Sequence, residues 1–293
     1  MIAVFGATGK VGGKVAAMLL ESGVPVRVMA RSPENAAPLK TGGAEVVIGL
    51  LQNGDDIKTT LDGCDSAFLM TPMNRNSDNY IEEELAIGRN YGAALKDMDV
   101  GHVVYLSVIN ARDNTGIPFF DSKAEVEDSI ARSGIDTTFL RPTYFMENLY
   151  QQVPIIQQFD MISLPIPGDV PVPMVATEDV AYAAVKSLLR GGRASEAYDL
   201  IAPKDYNMLE VTDIFSRIIG RNLRYSEETH EQGEQRMIQA GMTSVAARDY
   251  MKMFDAILEG RIGGDRNRVY EEFNFNPTPL ETVIDTMTRV LAV

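Results

Sequence analysis

Short apolar segments alternate with amphipathic helical patterns through residues 2–140, and this alternation limits the possible folds more than any other feature. The segments IAVF at 2–5 and HVVYL at 102–106 are apolar at nearly every position, as expected for strands that are buried on both faces. Such strands, alternating with helices, form a parallel sheet covered on both sides. We predict an α/β fold with a Rossmann-type doubly wound parallel sheet, whose ligand crevice lies beyond the carboxyl ends of the strands.

The pattern changes after Pro142. Prolines recur between residues 154 and 173 and predict extended or loop structure there, before helical patterns return over 178–189, 208–219, 230–260 and 279–291. We predict a nucleotide-binding domain over residues 1–150. A small, mainly helical C-terminal subdomain over 151–293 is expected to interleave with the edge of the sheet.

A glycine-rich turn follows the first strand, where residues 6–12 read GATGKVG. Gly6 permits a tight turn, Gly9 lets backbone amides approach an anion, and Gly12 permits close contact between helix and sheet. Because the N-terminus of a helix attracts anions, this loop predicts a pyrophosphate site. The alternative is a tight turn that binds no ligand. The predicted binding residues of the loop are Gly6, Thr8, Gly9, Lys10, Val11 and Gly12.

The residues after the second strand predict which dinucleotide binds. A site selective for NAD usually has an acidic residue at this point, whereas this chain has Arg31 and Ser32. A guanidinium matches a phosphate with two hydrogen bonds, and Lys10 can add a second positive charge. We therefore predict NADP(H) as the preferred cofactor. NAD(H) is possible if Arg31 is only a solvated charge at the end of a strand.

Composition excludes several other classes of function. The net charge of −14 argues against nucleic acid and anionic membrane surfaces as partners, since both attract basic proteins. No apolar run reaches the roughly 18 residues of a membrane span, and the N-terminus lacks a signal-peptide pattern. With Cys64 as its one cysteine, the chain is expected to be cytoplasmic. Both a monomer and a homodimer are compatible with the sequence.

Several segments of the chain resemble the NmrA-like group of atypical short-chain dehydrogenase/reductases. This group includes quinone reductases, triphenylmethane reductase and redox-sensing regulators. The resemblance implies a Rossmann sheet that carries NADP(H) and a C-terminal subdomain that forms a substrate cleft. The matching segments are GATGKVGG at 6–13, MARSPE at 29–34, HVVYLS at 102–107, SKAEVEDSI at 122–130, TFLRPTYFMENL at 138–149, ATEDVA at 176–181 and NPTPLETVIDTM at 276–287.

The resemblance also implies roles for residues outside the glycine-rich loop. Thr71 and Pro72 are expected along the cofactor, and Lys123 at the nicotinamide ribose. One departure is Gly49-Leu50, where related chains usually have Gly-Asp near the adenine, so an apolar contact can replace a hydrogen bond there. The residues expected to line the nicotinamide and the substrate entrance are Pro142, Thr143, Tyr144 and Phe145.

The catalytic tyrosine of the wider superfamily is missing. Its Tyr-x-x-x-Lys pair uses a phenol as the proton donor, but here Phe119 stands four residues before Lys123. Ser107 occupies the position of the superfamily serine and completes no catalytic set without a phenol. In one interpretation, the chain reduces small acceptors that need little acid help, such as quinones, enones, imines or dyes. Water, Lys123 or Tyr144 then supplies any proton.

In the other interpretation, catalysis is lost and the chain senses NADP(H) by binding a protein partner. The absence of the tyrosine fits both interpretations, and analogy favours the enzyme. For the remaining candidates a structural role is the simpler interpretation: His102 and Cys64 in the fold, and His230 on a solvated face. Four methionines and a phenylalanine fit either ordinary core or an adaptable cleft: Met237, Met242, Met251, Met253 and Phe254.

Overall fold

The computed structural model describes residues 1–111, 114–192 and 195–291, with no side-chain description for residues 290 and 291. Strands and helices alternate strictly from the N-terminus to Pro142, as the sequence predicts. These elements are β1 (Ile2–Val4), α1 (Lys10–Glu21), β2 (Val26–Ala30), α2 (Pro33–Thr41), β3 (Glu45–Ile48), α3 (Gly54–Leu61), β4 (Ser66–Met70), α4 (Tyr80–Asp97), β5 (His102–Leu106), α5 (Pro118–Ala131) and β6 (Asp136–Pro142).

The chain beyond Pro142 contains shorter strands and most of the remaining helices. A 3-10 helix spans Met146–Gln152 between the first two elements. These elements are β7 (Tyr144–Phe145), α6 (Val153–Phe159), β8 (Met161–Leu164), β9 (Met174–Val175), α7 (Thr177–Arg190), β10 (Glu196–Leu200), α8 (Met208–Ile219), β11 (Arg224–Glu227), α9 (His230–Gln239), α10 (Ser244–Leu258), α11 (Arg268–Phe273) and α12 (Leu280–Leu291).

Seven parallel strands form the main sheet in the order β10-β6-β5-β4-β1-β2-β3. The order reverses between β1 and β4, which pair in register from Ile2 opposite Ser66 to Val4 opposite Phe68. This is the switch point of a doubly wound sheet, where ligands bind. The predicted Rossmann-type parallel sheet is therefore confirmed, and it brings Gly6 and Thr71 to the ends of adjacent strands.

The chain divides into two compact units that are discontinuous in sequence. Unit 1 comprises Met1–Asn74, Asn79–Pro142 and Glu178–Leu200, and unit 2 comprises Arg75–Asp78, Thr143–Thr177 and Ile201–Val293. The stretch 178–200 belongs to unit 1 because β10 pairs with β6. Within unit 1, a buried core includes Phe5, Tyr91 and Tyr105. Among the described helices, none combines the length and apolarity that a membrane span requires.

Unit 2 refines two predictions. Extended or loop structure was expected to dominate 154–173, and it does so beyond α6, which extends to Phe159. Pro154 lies in the first turn of this helix, where a missing N–H costs nothing, so proline starts the helix instead of breaking it. The helical pattern expected over 230–260 forms two helices, which are separated near Gly241, whose φ of +96° is a left-handed conformation.

Candidate functional site

The glycine-rich turn after β1 has the geometry that its sequence predicts. Gly6 has a φ of +70°, and its carbonyl accepts a hydrogen bond from the Gly9 N–H at 2.9 Å. A Cβ atom on Gly12 would lie 2.4 Å from the Gly6 oxygen, so a larger residue would displace the turn. The side chain of Val11 is buried, which leaves only its backbone able to reach a ligand.

The N-terminus of α1 differs from those of the next three helices. Gly9, its N-cap, provides no side-chain hydrogen bond, and no acidic residue lies in the first turn. The first turns of α2, α3 and α4 all contain acidic side chains, beginning with Glu34, Asp55 and Glu82. Since an acidic side chain offsets the positive end of a helix, α1 is the helix that keeps its positive end for an external anion.

A cavity of about 400 Å³ opens beside this turn within unit 1. Gly6, Thr8 and Gly9 form one part of its wall, and Arg31 lies at the end of β2. Arg31 is exposed, and no described acidic side chain pairs with its guanidinium. Lys10 is exposed at the first residue of α1. The other lining residues are Met29, Ala30, Gly49, Leu50, Leu51, Gln52, Met70, Pro72, Met73, Asn74, Glu83 and Ile87.

The loop after β3 supplies an apolar part of the cavity wall. Leu50 is 49% exposed, and its N–H donates to the carboxylate of Asp56 at 2.9 Å. A Cβ atom on Gly49 would lie 2.8 Å from the Cβ of Asp56, so this position requires glycine. The side-chain amide of Asn90 donates to the backbone carbonyl of Gln52 at 3.0 Å. This loop is therefore held by its backbone while the Leu50 side chain is presented to the cavity.

Lys123 lies in a buried polar cluster with Glu84, Thr71, Tyr105 and Ser122. Its ammonium contacts the Glu84 Oε1 at 2.5 Å, and the Thr71 carbonyl and Oγ1 at 2.9 and 2.7 Å. Thr71 Oγ1 lies 2.6 Å from Glu84 Oε1 and 2.8 Å from the Tyr105 hydroxyl. Ser122 donates to Glu84 Oε2 at 2.6 Å. Burial and the charge of Glu84 raise the pKa of Tyr105 well above its ordinary value, so this phenol stays protonated.

The sequence analysis missed Glu84 and Tyr105. Glu84 belongs to an acidic run at the start of α4, which resembles a solvated helix face. Its spacing from the buried residues Tyr80, Ile87 and Tyr91 places it on the apolar face of the helix instead. That periodicity is the signal that distinguishes it from its neighbours.

The ring of Phe119 lies beside the lysine, with its centre 5.8 Å from the ammonium nitrogen. The position that carries a phenol in the wider superfamily thus contributes only an apolar surface here. Ser107 follows β5, and its N–H donates to the Leu140 carbonyl at 2.8 Å. The Ser107 hydroxyl is buried and has no hydrogen-bond partner among the described residues. An unpartnered buried hydroxyl fits a polar ligand group at this end of the sheet.

Of the four residues expected near the nicotinamide, one belongs to unit 1 and three belong to unit 2. Pro142 ends β6 in unit 1, where its carbonyl accepts from the Ile109 N–H at 2.9 Å. In unit 2, Thr143 is buried and precedes β7, which contains Tyr144 and Phe145 and pairs with β9.

An aromatic cluster surrounds Tyr144 in unit 2. Its ring centre lies 6.4 Å from that of Phe254, which lies 5.8 Å from that of Tyr250. Burial raises the pKa of Tyr144, and the neighbouring Tyr250 adds to this effect, whereas Arg236 and Arg75 oppose it. The phenol therefore remains protonated at neutral pH and can donate a hydrogen bond.

The remaining candidates have structural positions. His102 is 3% exposed, with Nε2 3.0 Å from Thr138 Oγ1. Cys64 is buried, and burial raises the pKa of its thiol. His230 is exposed at the start of α9. The residues that fitted either core or cleft are all buried, as ordinary core residues are: Met237, Met242, Met251, Met253 and Phe254.

Comparison with known proteins identifies the family. The model of the NmrA-like family matches residues 1–281. A (4-alkanoyl-5-oxo-2,5-dihydrofuran-3-yl)methyl phosphate reductase from Streptomyces griseus is 35% identical over 78% of this chain and 77% of its own. An NAD(P)H azoreductase from Xenophilus azovorans is 28% identical over 83% of this chain and 82% of its own.

The fold has a close match among solved structures. Triphenylmethane reductase from a Citrobacter species, solved with NADP(H), superposes with a TM-score of 0.84. The match covers 98% of this chain and all of the other at 21% identity, so it supports the fold. The resemblance predicted from the sequence motifs is thereby confirmed over nearly the whole chain. The chain belongs to the NmrA-like family.

Proposed function

We propose that this chain is an NADP(H)-dependent oxidoreductase that transfers a hydride to a small, planar organic acceptor. The observation that carries this proposal is the cavity at the switch point of the sheet, where a helix N-terminus without a side-chain cap lies together with Arg31, which pairs with no acidic side chain among the described residues. Both features suit a polyanionic dinucleotide, which this acidic chain could otherwise attract only weakly. The names of the two relatives above, both reductases, support the same class of activity.

The residues of unit 1 would hold the cofactor in three groups. Backbone amides of the glycine-rich turn would bind the pyrophosphate, and Arg31 with Lys10 would bind the 2′-phosphate that distinguishes NADP(H) from NAD(H). The buried Ser107 hydroxyl would meet a polar group of the nicotinamide half, beside Thr71, Pro72 and Pro142. When bound, the cofactor supplies the hydride. NAD(H) is a secondary cofactor in this proposal.

The acceptor is one whose reduction needs little acid assistance. Phe119 cannot donate a proton, and the Tyr105 phenol is buried and bonded to Thr71. Suitable acceptors are quinones, enones, imines and azo or cationic dyes, in which the electrons of the hydride are delocalised. The Streptomyces relative is named for an unsaturated lactone that carries an alkanoyl group, which is an acceptor of this kind. Orientation of the two reactants then supplies most of the acceleration.

Tyr144 is the residue of unit 2 that we assign to the acceptor. Its protonated phenol can donate a hydrogen bond to an acceptor oxygen or nitrogen, while the rings of Tyr250 and Phe254 give its surroundings an aromatic character. Replacement of Tyr144 by Phe is expected to lower kcat for acceptors that must be protonated. The affinity for NADPH should stay close to that of the parent.

The test is an assay of NADPH oxidation by the purified protein with a quinone, an azo dye, a triphenylmethane dye and an unsaturated lactone. We expect turnover with at least one acceptor and a lower KM for NADPH than for NADH. The second candidate function is an inactive NADP(H) sensor, which Phe119 in place of tyrosine also fits. Tight NADPH binding without turnover on any acceptor, together with a specific protein partner recovered in the presence of NADPH, would favour the sensor.

A further inference from the structure

We propose that Lys123 acts on the cofactor cavity through Thr71, as a positioning residue, and that Glu84 is the buried counter-ion that fixes it there. This inference rests on the proposed function and assigns a different role from the ribose contact that the family resemblance implies. Its basis is the set of contacts that the lysine ammonium already makes inside the protein. The ammonium donates hydrogen bonds to the Thr71 carbonyl and to Thr71 Oγ1, and it forms an ion pair with Glu84 Oε1 at 2.5 Å.

The protons of the cluster can be assigned in one consistent way. Thr71 Oγ1 has one proton, which it donates to Glu84, and it accepts from both Lys123 and the Tyr105 hydroxyl. Glu84 Oε1 then accepts the hydrogen bond from Thr71 and forms the ion pair with Lys123, and Oε2 accepts a hydrogen bond from Ser122. Glu84 is therefore the ionised acceptor and Lys123 the charged donor. A ribose hydroxyl could bond to the ammonium only if one of these contacts were broken.

Burial makes the two charges depend on each other. The side chain of Lys123 is 6% exposed and that of Glu84 is fully buried. An isolated charge at either position would lose its hydration with no compensating partner. Removal of one charge therefore disturbs the cluster more than removal of both. This is the property that separates a positioning pair from a lysine that contacts the cofactor directly.

Thr71 connects the buried pair to the cavity. It lies between Met70 and Pro72, both of which line the cavity, as does Met73. Lys123 holds both the backbone carbonyl and the side chain of Thr71, so the ammonium fixes this segment after β4. The Tyr91 hydroxyl fixes its other end by donating to the Met70 carbonyl at 2.9 Å. The cavity wall at 70–73 is therefore held from inside the protein.

The experiment compares Lys123→Met, Glu84→Gln and the double variant with the parent. The readouts are the dissociation constant for NADPH, the Tm without nucleotide, and kcat and KM for a working acceptor. We expect each single variant to lower Tm and weaken NADPH binding by roughly tenfold. The double variant should recover most of the Tm and bind NADPH within about threefold of the parent. The matched control is Lys58→Met with Asp97→Asn, an exposed ion pair of unit 1. These substitutions should change neither the Tm nor the affinity for NADPH.

Two results would overturn the positioning role. One is a double variant with restored Tm that binds NADPH as weakly as Lys123→Met, because the ammonium would then contact the nucleotide directly. The other is a folded Glu84→Gln protein with the NADPH affinity of the parent, which tests the role even if the other variants fail to fold. A parent protein that bound no NADPH would refute the proposed function itself. If the parent binds NADPH but the effects of the two single substitutions simply add in the double variant, the positioning role alone is refuted.

Discussion

The exposed cavity and the buried lysine cluster lie in the same unit and both contain positive charge, but they hold it differently. Arg31 is exposed, and no described acidic side chain pairs with it. Lys123 is buried and meets a carboxylate, a carbonyl and a hydroxyl. A hydrated cation can bind an anionic ligand at little cost, whereas a buried cation is committed to partners that it cannot lose cheaply.

This difference distinguishes the residues that recognise the cofactor from those that support the cavity wall. In a chain with a net charge of −14, the exposed cavity offers a polyanion the amides of a helix N-terminus and Arg31. The buried cluster contributes the shape of one wall. Substitution of an exposed cation in the cavity should therefore weaken cofactor binding alone, whereas loss of one charge in the buried cluster should also lower the stability of the fold.

Substitution of Gly12 by Ala tests the backbone geometry of the exposed region most severely. The new Cβ would lie 2.4 Å from the Gly6 oxygen and 2.7 Å from the Gly6 carbon, so the turn must move. We expect the free energy of unfolding to fall by about 3 kcal/mol and NADPH binding to be lost. The control is Gly54→Ala, since a Cβ atom there meets nothing within 4 Å. Urea denaturation and NADPH titration measure both effects, and normal NADPH affinity in Gly12→Ala would contradict the role of the turn.

Substitution of Arg31 by Asp tests recognition without affecting the fold. The exposed guanidinium contributes little to stability, so Tm should stay within the error of the measurement. The affinity for NADPH should fall by roughly 30-fold, or about 2 kcal/mol, because two charge-assisted hydrogen bonds to phosphate are lost. The affinity for NADH should change little. Arg132→Asp makes the same change in net charge outside the cavity, and equal losses for both nucleotides in Arg31→Asp would exclude a role in phosphate recognition.

The two regions also differ in how far the sequence predicts them. The glycine-rich turn, Arg31 and the alternating elements are local in the chain, so spacing and residue type predict their structure. The lysine cluster joins residues 71, 84, 105, 122 and 123, which come from the segment after β4 and from α4, β5 and α5. No local sequence pattern predicts the contact between Glu84 and Lys123. The sequence predicts the lysine as a site residue, but the contacts of its ammonium with Glu84 and Thr71 are seen only in the folded structure.

Proline usage after Pro142 shows a second limit of the same kind. A proline-rich stretch suggests loops, yet Pro154 is accommodated in α6 because it lies in the first turn of the helix. Position within an element decides whether a proline breaks or starts it. Composition alone does not give that position.

Substitution of Leu50 by Ala tests whether the apolar part of the cavity wall contacts the part of the cofactor that NADPH and NADH share. Leu50 is 49% exposed and lines the same wall as Arg31, but it offers only an apolar surface. An adenine contact is common to both dinucleotides, so the affinities for NADPH and NADH should fall equally, by about 1 kcal/mol or roughly fivefold. Leu189→Ala removes a side chain of similar exposure in α7, outside the cavity, and serves as the control. A loss confined to NADPH would place Leu50 at the phosphate instead.

His102 adds a second buried titratable group to the comparison. The charge of Lys123 is balanced by Glu84, whereas burial favours the neutral form of His102. Burial lowers its pKa from the ordinary 6.5, an effect that Asp136 and Glu196 oppose and Arg190 reinforces. The unfolded chain therefore binds a proton that the folded protein resists, and the free energy of unfolding should decrease as pH falls through 6.5. The variant His102→Gln can keep the hydrogen bond to Thr138 but cannot titrate, so urea denaturation should show a shallower loss in acid.

The control for this prediction is His230→Gln, which replaces an exposed imidazole 3.6 Å from Asp255. This variant measures what the loss of an exposed imidazole does to the same pH profile. Because Asp136 and Glu196 oppose the effect of burial on the pKa of His102, its acid-dependent contribution should be the smallest of the four effects. It should also add to that of the lysine pair, since the two sites share no hydrogen-bond partner. A His102→Gln protein that loses as much stability in acid as the parent would show that other groups govern the pH dependence.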